Sequence, residues 1–245
     1  MIGYRYARAA YLRTANREQW HLRESRRRAF SEFVRRGNLI FDIGACHGEL
    51  TDVFASLHCR VVAVEPNPTQ AEAIRKRYGG RRVVVEQAAV GEHPGQAELV
   101  VGSDPAHSTL STDWVEHAPT PERWTGTVTV PVVTLEQLAM KYGPPAFVKI
   151  DVETYESHVL RGARELPPAL CFEFQNATPD LTEEALSLLE GYLFTHTHGE
   201  SPVRAVDWRD AAELMTNLRT FASREPTGYG DIFARRREPD QPSPR

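Results

Sequence analysis

Apolar runs in this chain repeatedly stop at an acid. Leu39-Ile40-Phe41 runs into Asp42, residues 60–64 into Glu65, Phe147-Val148-Lys149-Ile150 into Asp151, and Leu170-Cys171-Phe172 into Glu173, with Glu153 two places beyond Asp151. A strand ending in a carboxylate delivers it to the edge of a sheet, where ligands of open α/β sheets bind. Asp42 also opens a turn, Ile43-Gly44-Ala45-Cys46-His47-Gly48, whose glycines permit tight turning and close approach of a ligand. Glu65, twenty-three residues past Asp42 and followed by Pro66-Asn67, stands where an acid can hold both hydroxyls of a ribose.

The nature of the nucleoside follows from charge. A dinucleotide requires a pyrophosphate cradle, usually G-x-G-x-x-G at a helix N-terminus. Here the first of those positions is Asp42, which would repel pyrophosphate but suits a ligand with a positive centre and an amino group. S-adenosylmethionine (SAM) is such a ligand. The expected cofactor contacts are Asp42, Gly44, Ala45, His47 and Gly48 in the turn, with Glu65, Pro66 and Asn67 after the second strand. Gln87 and Ala88 follow a third strand, where an amide can donate to and accept from adenine. Ser108 and Asp151 complete the set. A nicotinamide-dependent oxidoreductase is the less favoured alternative, because it needs the missing phosphate cradle.

These positions require an alternating α/β frame. Strands are expected at residues 39–43, 60–65, 82–87, 146–151 and 170–174, with closing strands at 192–195 and 229–234. Helices are expected after Gly48, over 68–78, over 134–142 with Thr134 as N-cap, over 155–164 and over 181–190. Two strands, 97–101 and 127–133, interrupt the alternation and enclose a long polar loop with His107 and Ser108. A loop of that length inside a domain is usually functional. The whole reads as three parts: a basic helical extension over 1–37, one α/β domain over 38–235 and a Pro- and charge-rich disordered tail over 236–245.

The 245 residues, 41% of them hydrophobic and 25% charged, read as a soluble globular chain with no membrane span. Three cysteines without metal-type spacing, and no secretory signal, point to reduced thiols in the cytoplasm. The net charge of −4 divides unevenly. Residues 1–38 carry ten arginines against three glutamates, +7, which leaves −11 for the rest. Such an arm is read first as a solvated helix docked on an acidic body. Nucleic acid is disfavoured as a partner because no recognition motif accompanies the charge. A lid or a homodimer contact through the arm is the other expectation.

Downstream motifs narrow the class. Lys149-Ile150-Asp151-Val152-Glu153-Thr154-Tyr155-Glu156, then Leu160-Arg161-Gly162-Ala163, resembles the signature of the FkbM family of SAM-dependent methyltransferases. Glu65-Pro66-Asn67, Ala88-Ala89-Val90 and the segment from Val130 to Leu135 match further motifs of that family in the expected order. The resemblance covers roughly residues 38–195. It implies a Rossmann-like class I methyltransferase fold, a mostly parallel seven-stranded sheet with helices on both faces, and O-methylation of sugars, polyketides or other natural products. Thr154 stands where the family has glycine, and Cys46-His47 where it has Asn-Val.

Methyl transfer needs alignment and, for a hydroxyl acceptor, a base. Asp151 and Glu153 at the end of their strand are the expected catalytic acids, with His107 in the long loop as a further candidate base. His196 and His198 are weaker candidates. Lys149 pairs with a buried acid or points outward, and Glu173 is a possible strand neighbour for it. Asp151, Glu153 and Glu173 could together hold a divalent cation, but their spacing is no recognisable metal motif and a metal is not favoured. The partner expected is a small-molecule acceptor. A SAM-binding domain without catalysis is the non-enzymatic alternative.

Overall fold

The computed structural model describes residues 17–78, 80, 82–117, 124–199 and 207–238. Helix α1 (Arg17–Phe30) precedes β1 (Leu39–Ile43), α2 (Glu49–Ser56), β2 (Arg60–Val64), α3 (Pro68–Tyr78) and β3 (Val83–Glu86). Then follow β4 (Ala89–Val90), β5 (Gly95–Gly102), a short α4 (Thr112–His117), β6 (Trp124–Val133) and α5 (Leu135–Tyr142). The chain continues through β7 (Phe147–Ile150), α6 (Glu156–Arg161), β8 (Ala169–Gln175), α7 (Pro179–Ser187), β9 (Tyr192–His196), α8 (Ala211–Ala222) and β10 (Tyr229–Arg236).

Seven strands form one sheet in the order β3-β2-β1-β7-β8-β10-β9, parallel except for β10, which runs antiparallel to both neighbours. This is the mixed sheet of class I methyltransferases. The reversal of winding lies between β1 and β7, which pair in parallel from Ile40 with Phe147 to Ile43 with Ile150. That junction is the crevice where such sheets bind ligands. The central strands are apolar throughout because helices cover both faces. Phe41, Ile43, Val148, Ile150 and Phe172 pack under α5 to α8, while Ile40, Val61, Ala63, Phe147 and Cys171 face the other layer. Successive residues alternate between the layers, as the two-residue period of a strand demands. The strands β4, β6 and β5 make a separate small sheet around Ala89, Leu99, Val130 and Val132.

Several elements differ from the sequence expectation. The expected helix over 4–36 is helical from Arg17 to Phe30 and then turns, and residues 1–16 lie outside the described residues. The long loop carries a 3₁₀ turn, Pro105–His107, capped by Asp104, and then α4. Helix α8 was not expected, although Asp210 caps it by accepting from the Glu213 amide at 2.9 Å. Strand β10 extends to Arg236, one residue into the segment read as tail, and residues 239–245 lie outside the described residues. No described helix is long and apolar enough to cross a membrane.

The described part of the basic arm is built into the domain. Phe30, 3% exposed, sits among Phe54, Phe147 and Phe233, with ring centroids 4.9, 5.8 and 5.7 Å away. Arg23 reaches Asp52 at 2.7 Å and Arg26 reaches Glu49 at 2.8 Å, both on α2. These pairs orient the helix, but the phenylalanine supplies most of the holding energy, because partly exposed ion pairs contribute little. Phe30→Ala should lower stability by about 3–5 kcal/mol, read from the midpoint of urea unfolding. Arg26→Ala should cost under about 1 kcal/mol in the same assay.

Candidate functional site

The site begins at the turn after β1. Gly44 and Ala45 both donate their amides to the Val64 carbonyl, at 2.9 and 3.1 Å, which fastens the turn to the end of β2. Gly44 has φ +76°, and a Cβ there would fall 1.7 Å from the Asp151 carbonyl oxygen. Gly48 caps α2 with φ +74° beneath the Tyr78 ring. Both positions require glycine for conformation, and Gly44 also for space.

Glu65 closes the turn from below. One carboxylate oxygen accepts from the Cys46 amide at 2.7 Å and the other from the Asn67 amide at 2.8 Å. Burial pushes its pKa up to about 7 against these two bonds. A carboxylate offers about four acceptor positions, so Glu65 keeps roughly half of them for a ligand. Asp42, 2% exposed, lies beneath the turn and accepts from the Thr51 hydroxyl. Burial raises its pKa to about 6, opposed by the Thr51 bond and by Lys149. Cys46 is held as a thiol, its pKa pushed up to about 12 by burial and by the nearby Glu65 charge.

Above the β1/β7 junction lies an open cleft, at the point where sheets of this kind bind ligands. Gly44, Cys46, Val64, Glu65 and Pro66 form one side, Ala88, Ala89, Val90 and Leu99 another. Pro105, Ala106, Ser108, Thr109 and Leu110 from the long loop close it, and Asp151, Val152 and Tyr155 complete the wall. Of the residues expected to contact a cofactor, the cleft wall holds Gly44, Glu65, Pro66, Ala88, Ser108 and Asp151. Asp42, Ala45, Gly48 and Asn67 support the wall from behind. Gln87 is exposed outside it, and His47 is exposed with its Nδ1 3.1 Å from Gln70 Oε1. Of the other wall residues, Tyr155 lies inside the Lys149–Glu156 motif with no role assigned from sequence, and Leu110 was not singled out.

Acids gather at the Asp151 end of the cleft. Carboxylate oxygens of Asp151, Glu153 and Glu173 lie within 4.8 Å of one another. Lys149, 1% exposed, turns back along the sheet to Asp151 at 3.3 Å and Asp231 at 3.0 Å. Burial alone would lower the lysine pKa, but these two acids carry it well above its ordinary value. Burial raises the pKa of Glu153 and of Glu173 well above the usual carboxylate range, and the Asp151 charge adds to both. Gln175 Nε2 donates to Glu173 Oε2 at 3.0 Å.

Glu153 and Thr154 are consecutive residues with left-handed backbone, φ +53° and +67°. Such conformations cost roughly 1–3 kcal/mol each and persist only where surroundings enforce them. The long loop does so. The Thr109 hydroxyl donates to the Glu153 carbonyl at 2.9 Å and accepts from the Ser111 amide at 2.8 Å. Thr154 donates to Ser111 Oγ at 2.7 Å. Thr109 and Ser111 are functional supports that motif reading missed.

The candidate histidines are placed apart from these acids or turned from the cleft. His107 packs edge-on to Trp114, at 6.4 Å, while its neighbours line the cavity. His196 and His198 stand beyond β10 at the far edge of the sheet. His198 lies against Phe221, and burial lowers the His196 pKa to about 4.

The sheet order, the glycine turn and the acid-tipped second strand define a Rossmann-like methyltransferase. The sequence model of the methyltransferase FkbM domain matches residues 42–195, and the chain belongs to that family, of SAM-dependent methyltransferases. Comparison with the curated proteins finds no match. Among solved structures it is similar to precorrin-6y C5,15-methyltransferase from Geobacter metallireducens, at 15% identity over 87% of this chain and 89% of that one, TM-score 0.41. It is also similar to 1,6-didemethyltoxoflavin-N1-methyltransferase from Burkholderia thailandensis, at 14% identity over 96% and 87% of the two chains, TM-score 0.43. A TehB-like SAM-dependent methyltransferase from Corynebacterium glutamicum gives 12% identity over 86% and 88%, TM-score 0.42.

The donor set fits the cofactor that the family implies. Glu65 retains acceptor capacity for a ribose, Val64, Pro66 and Leu110 offer apolar surface for a base, and the Asp151 end is acidic where a sulfonium and an ammonium need compensation. The same two carboxylates in the wall oppose a pyrophosphate.

Two outcomes follow. Gly44→Ala should cost roughly 2 kcal/mol or more in urea unfolding, because the methyl group collides with the Asp151 carbonyl in a strained backbone region. The second concerns pH. Glu156, buried at the start of α6, accepts from the Val152 amide at 3.3 Å, and burial lifts its pKa to about 7 against that bond and one to its own backbone. The native state therefore holds a proton here that the unfolded chain has released, so stability falls as pH rises from about 4.5 to about 7. Glu156→Gln should flatten that fall by on the order of 3 kcal/mol, measured by urea midpoints at about pH 5 and about pH 8 with EDTA present.

Proposed function

We propose that this chain transfers the methyl group of SAM to a hydroxyl of a small-molecule acceptor, of the sugar or natural-product type. The observation that carries this reading is Asp151, which belongs at once to the wall of the cofactor cleft and to the acid cluster. An acceptor placed against that cluster therefore adjoins the cofactor. The Gly44–Cys46 turn and Glu65 would hold the amino-acid tail and the ribose, and Val64, Pro66, Ala88 and Leu110 the base. When bound, the cofactor supplies an activated methyl group on a sulfonium leaving group.

The remaining chemistry belongs to the protein. A hydroxyl becomes a competent nucleophile as its proton passes to a carboxylate of the cluster. Carboxylates with raised pKa values hold that proton better than ordinary ones, which suits a base working near neutral pH. Lys149 fixes the orientation of Asp151 from inside the sheet. The loop of Pro105 to Leu110 lines one side of the cleft.

Calorimetry with SAM and S-adenosylhomocysteine tests the first half, and binding of both is expected. Labelled-methyl transfer to a panel of hydroxylated metabolites tests the second. Asp151→Asn should lower kcat on the order of 100-fold or more at saturating SAM. Folded protein that binds neither cofactor form ends the proposal, and full turnover by Asp151→Asn removes the role given to that residue.

A further inference from the structure

The acid cluster holds more carboxyl groups than the one ammonium beside it can pair. Asp151, Glu153 and Glu173 converge from the end of β7 and from β8, and Asp231 on β10 stands opposite Glu173 in register. Lys149 is shared between Asp151 and Asp231, and among the described residues it makes no ion pair with Glu153 or Glu173. Glu153 is 8% exposed, and its Oε2 is buried without a hydrogen-bond partner. A buried carboxylate oxygen left without a donor is costly. It belongs to a side chain of which one oxygen lies within 4.8 Å of an oxygen of each of two further carboxylates.

We propose that Asp151, Glu153 and Glu173 form a binding site for a hard divalent cation, Mg²⁺ or Mn²⁺. The spacing allows one. Oxygen ligands lie about 2.0–2.1 Å from Mg²⁺, so ligand oxygens around it are roughly 3–4 Å apart, inside the 4.8 Å that bounds these three. All three donors are oxygens, which selects magnesium, manganese or calcium over zinc or copper. The outer groups are also in place: Gln175 orients Glu173, and Lys149 orients Asp151. Such partners commonly fix the ligands of a metal site. Three carboxylates leave coordination positions for water or for acceptor oxygens, with the cofactor cleft adjacent through Asp151. The site deepens the methyltransferase reading, and its role toward an acceptor rests on that reading, but cation binding itself does not.

The test uses the full chain freed of metal with EDTA and titrated with Mn²⁺, followed by electron paramagnetic resonance and calorimetry. One Mn²⁺ per chain is expected, displaced by Mg²⁺, with a rise in melting temperature as Mn²⁺ is added. Glu153→Gln and Glu173→Gln should each weaken binding on the order of tenfold or more. Glu156→Gln, a buried acid outside the cluster, should leave it unchanged. Absence of stoichiometric binding by the wild-type protein overturns the proposal even if the variants fail to fold. Equal binding by folded Glu153→Gln and Glu173→Gln also overturns it. SAM titration of the same metal-free protein is read separately, so loss of the cation site and loss of the methyltransferase reading give different results.

Discussion

At Gly44 two backbones approach so closely that a methyl group on the α-carbon would lie 1.7 Å from the carbonyl oxygen of Asp151. This contact joins the exit of β1 to the exit of β7 at the point where the sheet reverses its winding. The turn that faces the cofactor and the strand end that bears the acids are thus one piece of backbone architecture. Val64 accepts both amides of the turn, and the Asp151 amide in turn donates to Ile43 at 3.0 Å. The glycine turn and the acid-bearing strand end share a wall of the cleft because no side chain separates them here.

Charge is the second organising constraint. The β7 and β8 strand ends, with β10 beside them, place acids side by side in surroundings that penalise ionisation. Lys149 offsets part of this from within the sheet, at the cost of burying an ammonium group, which its two partners make tolerable. Of the cluster only Asp151 reaches the cleft wall, while Glu153 and Glu173 lie behind it.

Much of this was legible in the sequence, and the reason is locality. The glycine turn, Glu65 and Asp151 each sit at the end of an apolar run, and a strand followed by a turn can be read from a few consecutive residues. The signals that failed were of two kinds. Helix α8 had a clear cap in Asp210 and buried Leu214, Met215 and Leu218, but the mixed segment before it obscured the start. The grouping of Asp151, Glu153 and Glu173 was foreseen, but the partnership of Lys149 with Asp231 depends on which strands become neighbours. The β8/β10 register that pairs Glu173 with Asp231 arises from a connection of more than fifty residues, and no local pattern carries it. Gln87, whose position in the chain suggested an adenine contact, is exposed just after β3.

Thr154 occupies a left-handed position that family resemblance would give to glycine, and its hydroxyl is fastened to Ser111 in the loop over the cleft. Glycine would hold that backbone shape by itself, whereas threonine holds it only while the loop is seated. The geometry of Glu153 is thereby made conditional on a segment more than forty residues earlier. Seating of the loop and the backbone shape at Glu153 are therefore a single structural event in this chain.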